Sequence, residues 1–208
     1  EVAALAQHLR AMGVEQGDRV AAVLPNIAEA VTAFLATASI GAVWSICSPE
    51  FGPGAIASRF TQLEPKVLIT SPGHTLGGKD RDNTATIQAV LDEVSSIEHV
   101  VWVAGETAIT EPALEVPTAC WDEIILQDAP LDFTDVEFNT PLWVLFSSGT
   151  TGKPKGIVHS HGGALLEELK MLMFHTELRP GDRYLNVAST SWVLWNALVS
   201  ALGVGATA

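Results

Sequence analysis

Cysteine is scarce in this chain, which has only Cys47 and Cys120 in 208 residues. Neither lies in a CxxC pair or at a Cys/His spacing typical of zinc ligands. Two isolated cysteines in a chain of this length are typical of a reducing compartment, so we expect free thiols and a cytoplasmic protein. No stretch resembles a signal peptide. The longest apolar run, residues 192–204, contains polar residues and is too short to span a bilayer, so it predicts a buried helix.

Positive charge is also scarce, with 11 Lys and Arg against 24 Asp and Glu, for a net charge of −13. This balance disfavours nucleic acid and anionic membranes as partners, because their phosphates would repel the chain. A hydrophobic content of 48% with only 17% charged residues indicates a buried core and excludes a disordered chain. Any phosphate site must therefore be built locally from a small number of cations.

Short apolar runs alternate with amphipathic helical patterns through the first hundred residues. The predicted strands are 19–24, 42–46, 66–70 and 99–103, with helical patterns before the first and between each pair. Strands that are apolar throughout are typical of a parallel sheet covered on both faces. The sequence therefore predicts an α/β fold of mainly parallel sheet layers flanked by helices on both faces, with right-handed crossovers.

The sequence pattern divides the chain into three parts. Residues 1–104 form the α/β region, and residues 105–140 form an acidic, proline-containing surface excursion with one short helix near 121–126. Residues 141–208 form the third part, which contains the candidate site residues discussed below. We expect a loop at 71–82 and, in the third part, strands at 142–146, 157–158 and 184–188 and helices at 163–174 and 191–202. Leu165, Leu166, Leu169, Leu172 and Met173 are predicted to form the buried stripe of the first of these helices. The chain begins inside a helical pattern without a methionine and ends as a strand pattern starts, so we expect both ends to be truncated.

The most unusual composition lies in the loop 147–156, which reads SSGTTGKPKG between two apolar runs. Its glycines permit close backbone approach to an anion, its four hydroxyl groups are donors, and its two lysines supply charge. A Walker A loop requires the spacing GxxxxGK[ST], which this loop lacks, so a kinase or P-loop NTPase is disfavoured. A polar surface loop without function is the alternative.

The loop SSGTTGKPKG resembles the signature of the adenylate-forming superfamily, which includes acyl-CoA synthetases, luciferases and peptide-synthetase adenylation domains. With its flanks PLWVLF and GIVHSHGG, and with WSICSPEFG, LRPGDRY and WNALVSALGVGAT, the resemblance is greatest to acyl-CoA synthetases that activate acetoacetate, and it covers the whole chain. It implies part of a large AMP-binding N-terminal domain that uses ATP, Mg²⁺ and CoA and forms an acyl-adenylate. Acetate, propionate or butyrate is the alternative acid.

The resemblance also implies roles for individual residues. Lys153 and Lys155 would be catalytic, stabilising pyrophosphate as it leaves. The ATP phosphates would be bound by Ser147, Ser148, Gly149, Thr150, Thr151, Gly152 and Lys153. The Mg²⁺ ligand, the ribose-binding Asp and the catalytic C-terminal Lys of the family are expected outside these 208 residues. A fragment that binds nucleotide without turnover is therefore the second alternative.

Two further sites follow from the resemblance. Trp192, Val193 and Leu194 would line the acyl pocket, although two tryptophans three residues apart could simply pack a helix. Relatives usually have glycine where this chain has Ser191, which adds bulk beside that pocket. Lys79 and Arg81 would contact the 3′-phosphate of CoA, with an exposed charged turn as the alternative. His159 and His161 show no metal or triad spacing, and we interpret them as structural.

Overall fold

The computed structural model describes residues 1–105, 107–147 and 152–208. Its strands are β1 (Arg19–Val23), β2 (Val43–Cys47), β3 (Val67–Thr70), β4 (Gly73–Leu76), β5 (Lys79–Asp82), β6 (His99–Trp102), β7 (Thr118–Cys120), β8 (Pro141–Ser147) and β9 (Lys155–Ser160). Its α-helices are α1 (Val2–Ala11), α2 (Ala28–Ser39), α3 (Pro53–Leu63), α4 (Thr84–Glu93), α5 (Trp121–Ile125), α6 (His161–Lys170) and α7 (Val193–Ser200). A π-helical turn (Met171–His175) follows α6, and a 3₁₀ turn (Ala201–Val204) follows α7.

Seven of these strands form one sheet in the order β7-β6-β3-β1-β2-β8-β9. Every pairing in it is parallel except β8 with β9, which is antiparallel. Successive residues of β1 enter opposite cores: Val20 and Ala22 pack with α1 and α2, whereas Ala21 and Val23 pack with α3 and α4. The predicted α/β fold, mainly parallel with helices on both faces, is confirmed.

The segment predicted as a loop at 71–82 contains the antiparallel hairpin of β4 and β5. Gly77 and Gly78 form its two-residue turn with φ of +59° and +73°, values that glycine adopts without a steric penalty. The flanking residues are too polar to show the apolar alternation of a strand, so the loop prediction was wrong.

The segment 105–140, predicted to be a surface excursion, contributes residues to the sheet and to the hydrophobic core. The three residues of β7 extend the edge of the sheet beside β6, and the short helix predicted near 121–126 is confirmed as α5. Trp121 and Ile124 of α5 are buried in the core that contains α1 and α2. Farther along, the backbone N–H of Thr134 donates to the carbonyl of Ser39 at 2.8 Å. Part of this segment is therefore core structure.

Two predictions in the third part were wrong. Leu165, Leu166 and Met173 are 59%, 64% and 49% exposed, whereas Leu172 is fully buried. The wide turn at Met171–His175 changes the helical period, so a stripe drawn with 3.6 residues per turn does not extend to Met173. Leu165 and Leu166 precede this turn, in the regular helix α6. Residues 184–188 form no strand: the N–H of Tyr184 donates to the carbonyl of Thr207 at 2.8 Å, beside a single bridge between Arg183 and Thr207. Within the described ranges, no helix has the length and hydropathy needed to cross a membrane.

Candidate functional site

The glycine- and lysine-rich loop connects two paired strands. Ser147, the last residue of β8, lies opposite Lys155, the first residue of β9. Because β8 runs parallel to β2, with Trp143 opposite Trp44, the loop begins at the edge where β1 and β2 also end. The predicted order of strand, loop, strand and helix is confirmed. Ser148, Gly149, Thr150 and Thr151 lie outside the described residues.

Both lysines of the loop are exposed. Among the described residues, neither Lys153 nor Lys155 forms an ion pair with a carboxylate. Gly152, directly before them, has φ of +139°, a backbone conformation that residues with a Cβ rarely adopt. These two charges are thus available to an external anion.

Side-chain and backbone contacts fix the helix that follows the loop. The backbone N–H of Gly163 donates to Ser160 Oγ at 3.2 Å, which caps the start of α6. The N–H of His161 donates to the carbonyl of Thr140 at 2.9 Å, and burial lowers the pKa of the His161 imidazole. The ring of His159 packs against Trp143 with centroids 5.7 Å apart. Packing on Trp143 favours the structural interpretation of His159, whereas the contact of His161 involves only its backbone. Among the described residues, His159 Nδ1 and His161 Nε2 are buried without a hydrogen-bond partner.

The segment predicted to line the acyl pocket is attached to the ends of two strands. Thr190 Oγ1 donates to the carbonyl of Leu24, directly after β1, at 3.0 Å. Ser191 Oγ accepts from the N–H of Ser48, directly after β2, at 2.7 Å. These bonds hold the start of α7 over the carboxyl edge of the sheet, where open α/β sheets bind ligands.

Two tryptophans in this segment have different environments. Trp195 is fully buried, packs 6.4 Å from the ring of Phe34, and donates from Nε1 to Asn26 Oδ1 at 2.8 Å. Trp192 is 63% exposed, and Val193 and Leu194 after it are 46% and 48% exposed. Helix packing therefore explains Trp195 but not Trp192, which remains available for a ligand.

The segment 189–195, predicted to line the acyl pocket, is called the acyl segment below. A cavity of about 90 Å³ lies between this segment and the end of β8. Its lining residues are Ile46, Cys47, Phe51, Arg59, Leu145, Phe146, Ser191 and Trp192. Phe146 is the last residue but one of β8, so the base of the phosphate loop and Trp192 share this cavity. Of the predicted acyl-pocket residues, Trp192 lines this cavity, and Val193 and Leu194 do not. Sequence reasoning missed the residues contributed by β2, β8 and α3 and also Phe51, although the segment SPEFG directly after β2 was a signal for part of the wall.

Cys47 lines this cavity as a neutral thiol. Burial raises the pKa of the Cys47 thiol to about 12, against a smaller lowering by the Arg59 guanidinium. We expect a thiol-specific reagent at pH 8 to modify the native protein at Cys120, which is half-buried, far faster than at Cys47. Peptide mapping after timed labelling would measure both rates, with urea-unfolded protein as the control in which both thiols react. Equal labelling of the two cysteines in the native protein would contradict this result.

The predicted CoA residues lie elsewhere on the same edge. Lys79 and Arg81 are exposed on β5, in the hairpin that follows the carboxyl end of β3. Neither lines the cavity beside Trp192. Among the described residues, no cluster of three or more His, Cys, Asp or Glu could hold a metal ion.

Comparisons with known proteins identify the family of this chain. The family model described as AMP-binding enzyme matches residues 1–208. Acetoacetyl-coenzyme A synthetase of Rhizobium meliloti is 45% identical over 207 residues, covering 99% of this chain and 32% of the relative. Acetoacetyl-CoA synthetase of Mus musculus is 37% identical over 214 residues, covering 100% and 32%.

Two further matches extend the comparison. Malonamoyl-CoA synthetase vrtB of Penicillium aethiopicum is 35% identical over 207 residues, covering 96% of this chain and 29% of the relative. The solved structure of acetoacetyl-CoA synthetase from Streptomyces lividans superposes with a TM-score of 0.93 at 45% identity, covering 99% of this chain and 31% of that one. The chain thus spans about a third of the length of the proteins it matches.

Proposed function

Because the chain belongs to the family of AMP-binding enzymes, we propose that the full-length protein activates acetoacetate with ATP and forms acetoacetyl-CoA and AMP. One structural observation supports this proposal independently of the similarity to known proteins. The base of the phosphate loop at Phe146 and the acyl segment at Trp192 border one cavity at the carboxyl edge of the sheet. A reaction that joins a carboxylate to a nucleotide phosphate needs such an arrangement, because the two reactants must meet within contact distance.

In the first step of the proposal, a carboxylate oxygen of the acid attacks the α-phosphorus of ATP. A bond from that oxygen to phosphorus forms, and the bond from the α-phosphorus to the bridging oxygen breaks and releases pyrophosphate. Negative charge builds on the departing oxygens, so Lys153 and Lys155, with the N–H and hydroxyl donors of the loop, would lower the barrier. Mg²⁺ bound with ATP would neutralise part of the phosphate charge, and we assign it no ligand among the described residues.

In the second step, the thiol of CoA attacks the acyl carbon of the adenylate. The carbon–sulfur bond forms, the bond from that carbon to the phosphate oxygen breaks, and AMP leaves with the electron pair. The proton of the thiol is released to solvent in this step. Lys79 and Arg81 are proposed to hold the 3′-phosphate of CoA, since both are exposed cations on a hairpin at the same edge of the sheet.

Acetoacetate is the acid we propose, and the names of the similar proteins support it. The acetoacetyl group and the malonamoyl group named for the Penicillium relative both carry a carbonyl on the third carbon. Trp192 lines the cavity, whereas Val193 and Leu194 are partly exposed at the start of α7 and do not line it; all three are proposed to contact the acyl chain. Acetate, propionate and butyrate lack that carbonyl and are the alternative substrates. Cytoplasmic location remains a prediction from the two free thiols.

The test is acid-dependent release of pyrophosphate by the full-length protein. We expect release with ATP and acetoacetate, with lower kcat/KM for acetate, propionate and butyrate, and formation of the CoA thioester when CoA is added. Greater activity with another acid would retain the reaction and change the substrate. ATP binding without pyrophosphate release with any acid would favour a nucleotide-binding module, and ADP formation without an acid would contradict the proposal.

A further inference from the structure

The cavity beside Trp192 has two walls that come from distant parts of the chain. One wall is Trp192, which directly follows Ser191. The other includes Phe51 and Arg59, with the guanidinium carbon of Arg59 lying 5.0 Å from the centroid of the Phe51 ring. An arginine stacked on an aromatic ring has lost part of its rotational freedom, so this second wall is comparatively rigid.

A hydrogen bond from a backbone N–H to a side-chain hydroxyl connects the segments beside these two walls. Ser191 Oγ accepts from the N–H of Ser48 at 2.7 Å, and Ser48 is only 5% exposed. The N–H of Phe51 donates in turn to the Ser48 carbonyl at 3.1 Å, so the position of Ser48 determines that of Phe51. The hydroxyl of Ser191 and the backbone of Ser48 thus connect the segment of Trp192 to the segment of Phe51 by hydrogen bonds.

We propose that Ser191 is a positioning residue that sets the separation of Trp192 from Phe51 and thereby limits the length of the acyl chain. This inference rests on the proposed function, since it concerns the selection of the acid. Without the hydroxyl, the N–H of Ser48 loses its acceptor in a buried environment, and the two segments must shift to regain one from water. The cavity of about 90 Å³ then widens.

Comparison of acids of two lengths in the full-length protein tests the proposal. We expect Ser191→Ala to raise the ratio of kcat/KM for 3-oxohexanoate to that for acetoacetate about tenfold, a typical discrimination for added methylenes in an apolar pocket. The change should lie mainly in KM, because Ser191 does not contact the reacting atoms. Ser191→Thr keeps the hydroxyl and adds a methyl group beside the cavity, so the ratio should not rise above that of the wild type.

Ser58→Ala is the matched control. Ser58 Oγ donates to the carbonyl of Ala55 at 3.0 Å within α3, and Ser58 does not line the cavity. An unchanged acid ratio in Ser191→Ala would overturn the inference, as would an equal change in Ser58→Ala.

A second measurement separates this inference from the proposed function. Hydrogen exchange of the Ser48 amide should be faster in Ser191→Ala than in the wild type and in Ser58→Ala, whether or not the protein turns over any acid. Absence of acid-dependent pyrophosphate release in the wild type would contradict the proposed function alone. Equal exchange of the Ser48 amide in wild type and Ser191→Ala would overturn the role of Ser191, even if the wild type is an active synthetase.

Discussion

Lys153→Ala and Lys155→Ala are each expected to slow acid-dependent pyrophosphate release by the full-length protein about 100-fold, the typical cost of one charge-stabilising donor at a transition state. Both side chains are exposed, and within the described chain neither is paired with a carboxylate, so each can act on an external anion. Charge on pyrophosphate increases during the reaction, so kcat should fall more than the affinity for the acid. Initial rates at varied acid and ATP concentrations separate the two effects.

Lys170→Ala is the control for these two variants. Lys170 is an exposed lysine on α6 whose Nζ lies 2.6 Å from Glu167 Oε1. Its removal takes away one positive charge, as each loop variant does, and a surface ion pair contributes little stability. The activity of Lys170→Ala should therefore stay within about twofold of the wild type. Wild-type rates in both loop variants would refute the assigned role of the loop, and an equal loss in all three would indicate a general effect of charge.

The sequence predicts the sheet because its central strands have a simple physical signature. The four residues of β3 and all five of β2 are buried, since helices cover both faces. Such strands are apolar throughout and are easily distinguished from the amphipathic helices between them. Parallel pairing then follows, because each helix returns the chain to the same end of the sheet.

The wrong strand predictions lie in segments whose secondary structure depends on pairing with another part of the chain. The three residues of β7 become a strand only by pairing with β6, and nothing in the tripeptide TAC indicates this. Conversely, residues 184–188 alternate like a strand, but Leu185 and Val187 are 83% and 92% exposed. Local alternation specifies which side chains share a face, whereas a strand also requires a partner for its backbone groups.

In the candidate site, too, features set by local sequence could be predicted, and features set by contacts between distant segments could not. The loop 147–156 is contiguous, so a phosphate-binding role could be predicted for it from ten successive residues. The cavity beside it combines Phe51 and Arg59 from one crossover, Phe146 from β8, and Trp192 from the start of α7. No local pattern connects these positions, because their proximity arises from parallel strands that end at one edge. The different environments of Trp192 and Trp195 likewise could not be predicted locally, because they depend on which of the two side chains packs against Phe34.

Phe34→Ala is expected to lower the free energy of unfolding by about 3–5 kcal/mol, the usual cost of truncating a buried phenylalanine. Phe34 of α2 is 6% exposed, and its ring centroid lies 6.2 Å from Trp44, 5.7 Å from Trp143 and 6.4 Å from Trp195. These rings belong to β2, β8 and α7, so the cavity left by Phe34 would loosen the elements that position the candidate site. Urea unfolding followed by far-ultraviolet circular dichroism measures the change without depending on tryptophan fluorescence.

Two variants distinguish the role of this ring from a general effect of lost aromatic surface. Phe34→Leu fills most of the space and should cost clearly less than Phe34→Ala. Phe133→Ala removes a phenylalanine that is 66% exposed and should change the free energy of unfolding by less than about 0.5 kcal/mol. Because α7 presents Trp192 beside the cavity, Phe34→Ala should also lower kcat/KM for acetoacetate under conditions where the protein stays folded. A loss of stability without any effect on activity would mean that the bonds from Thr190 and Ser191 hold the acyl segment without help from this aromatic cluster.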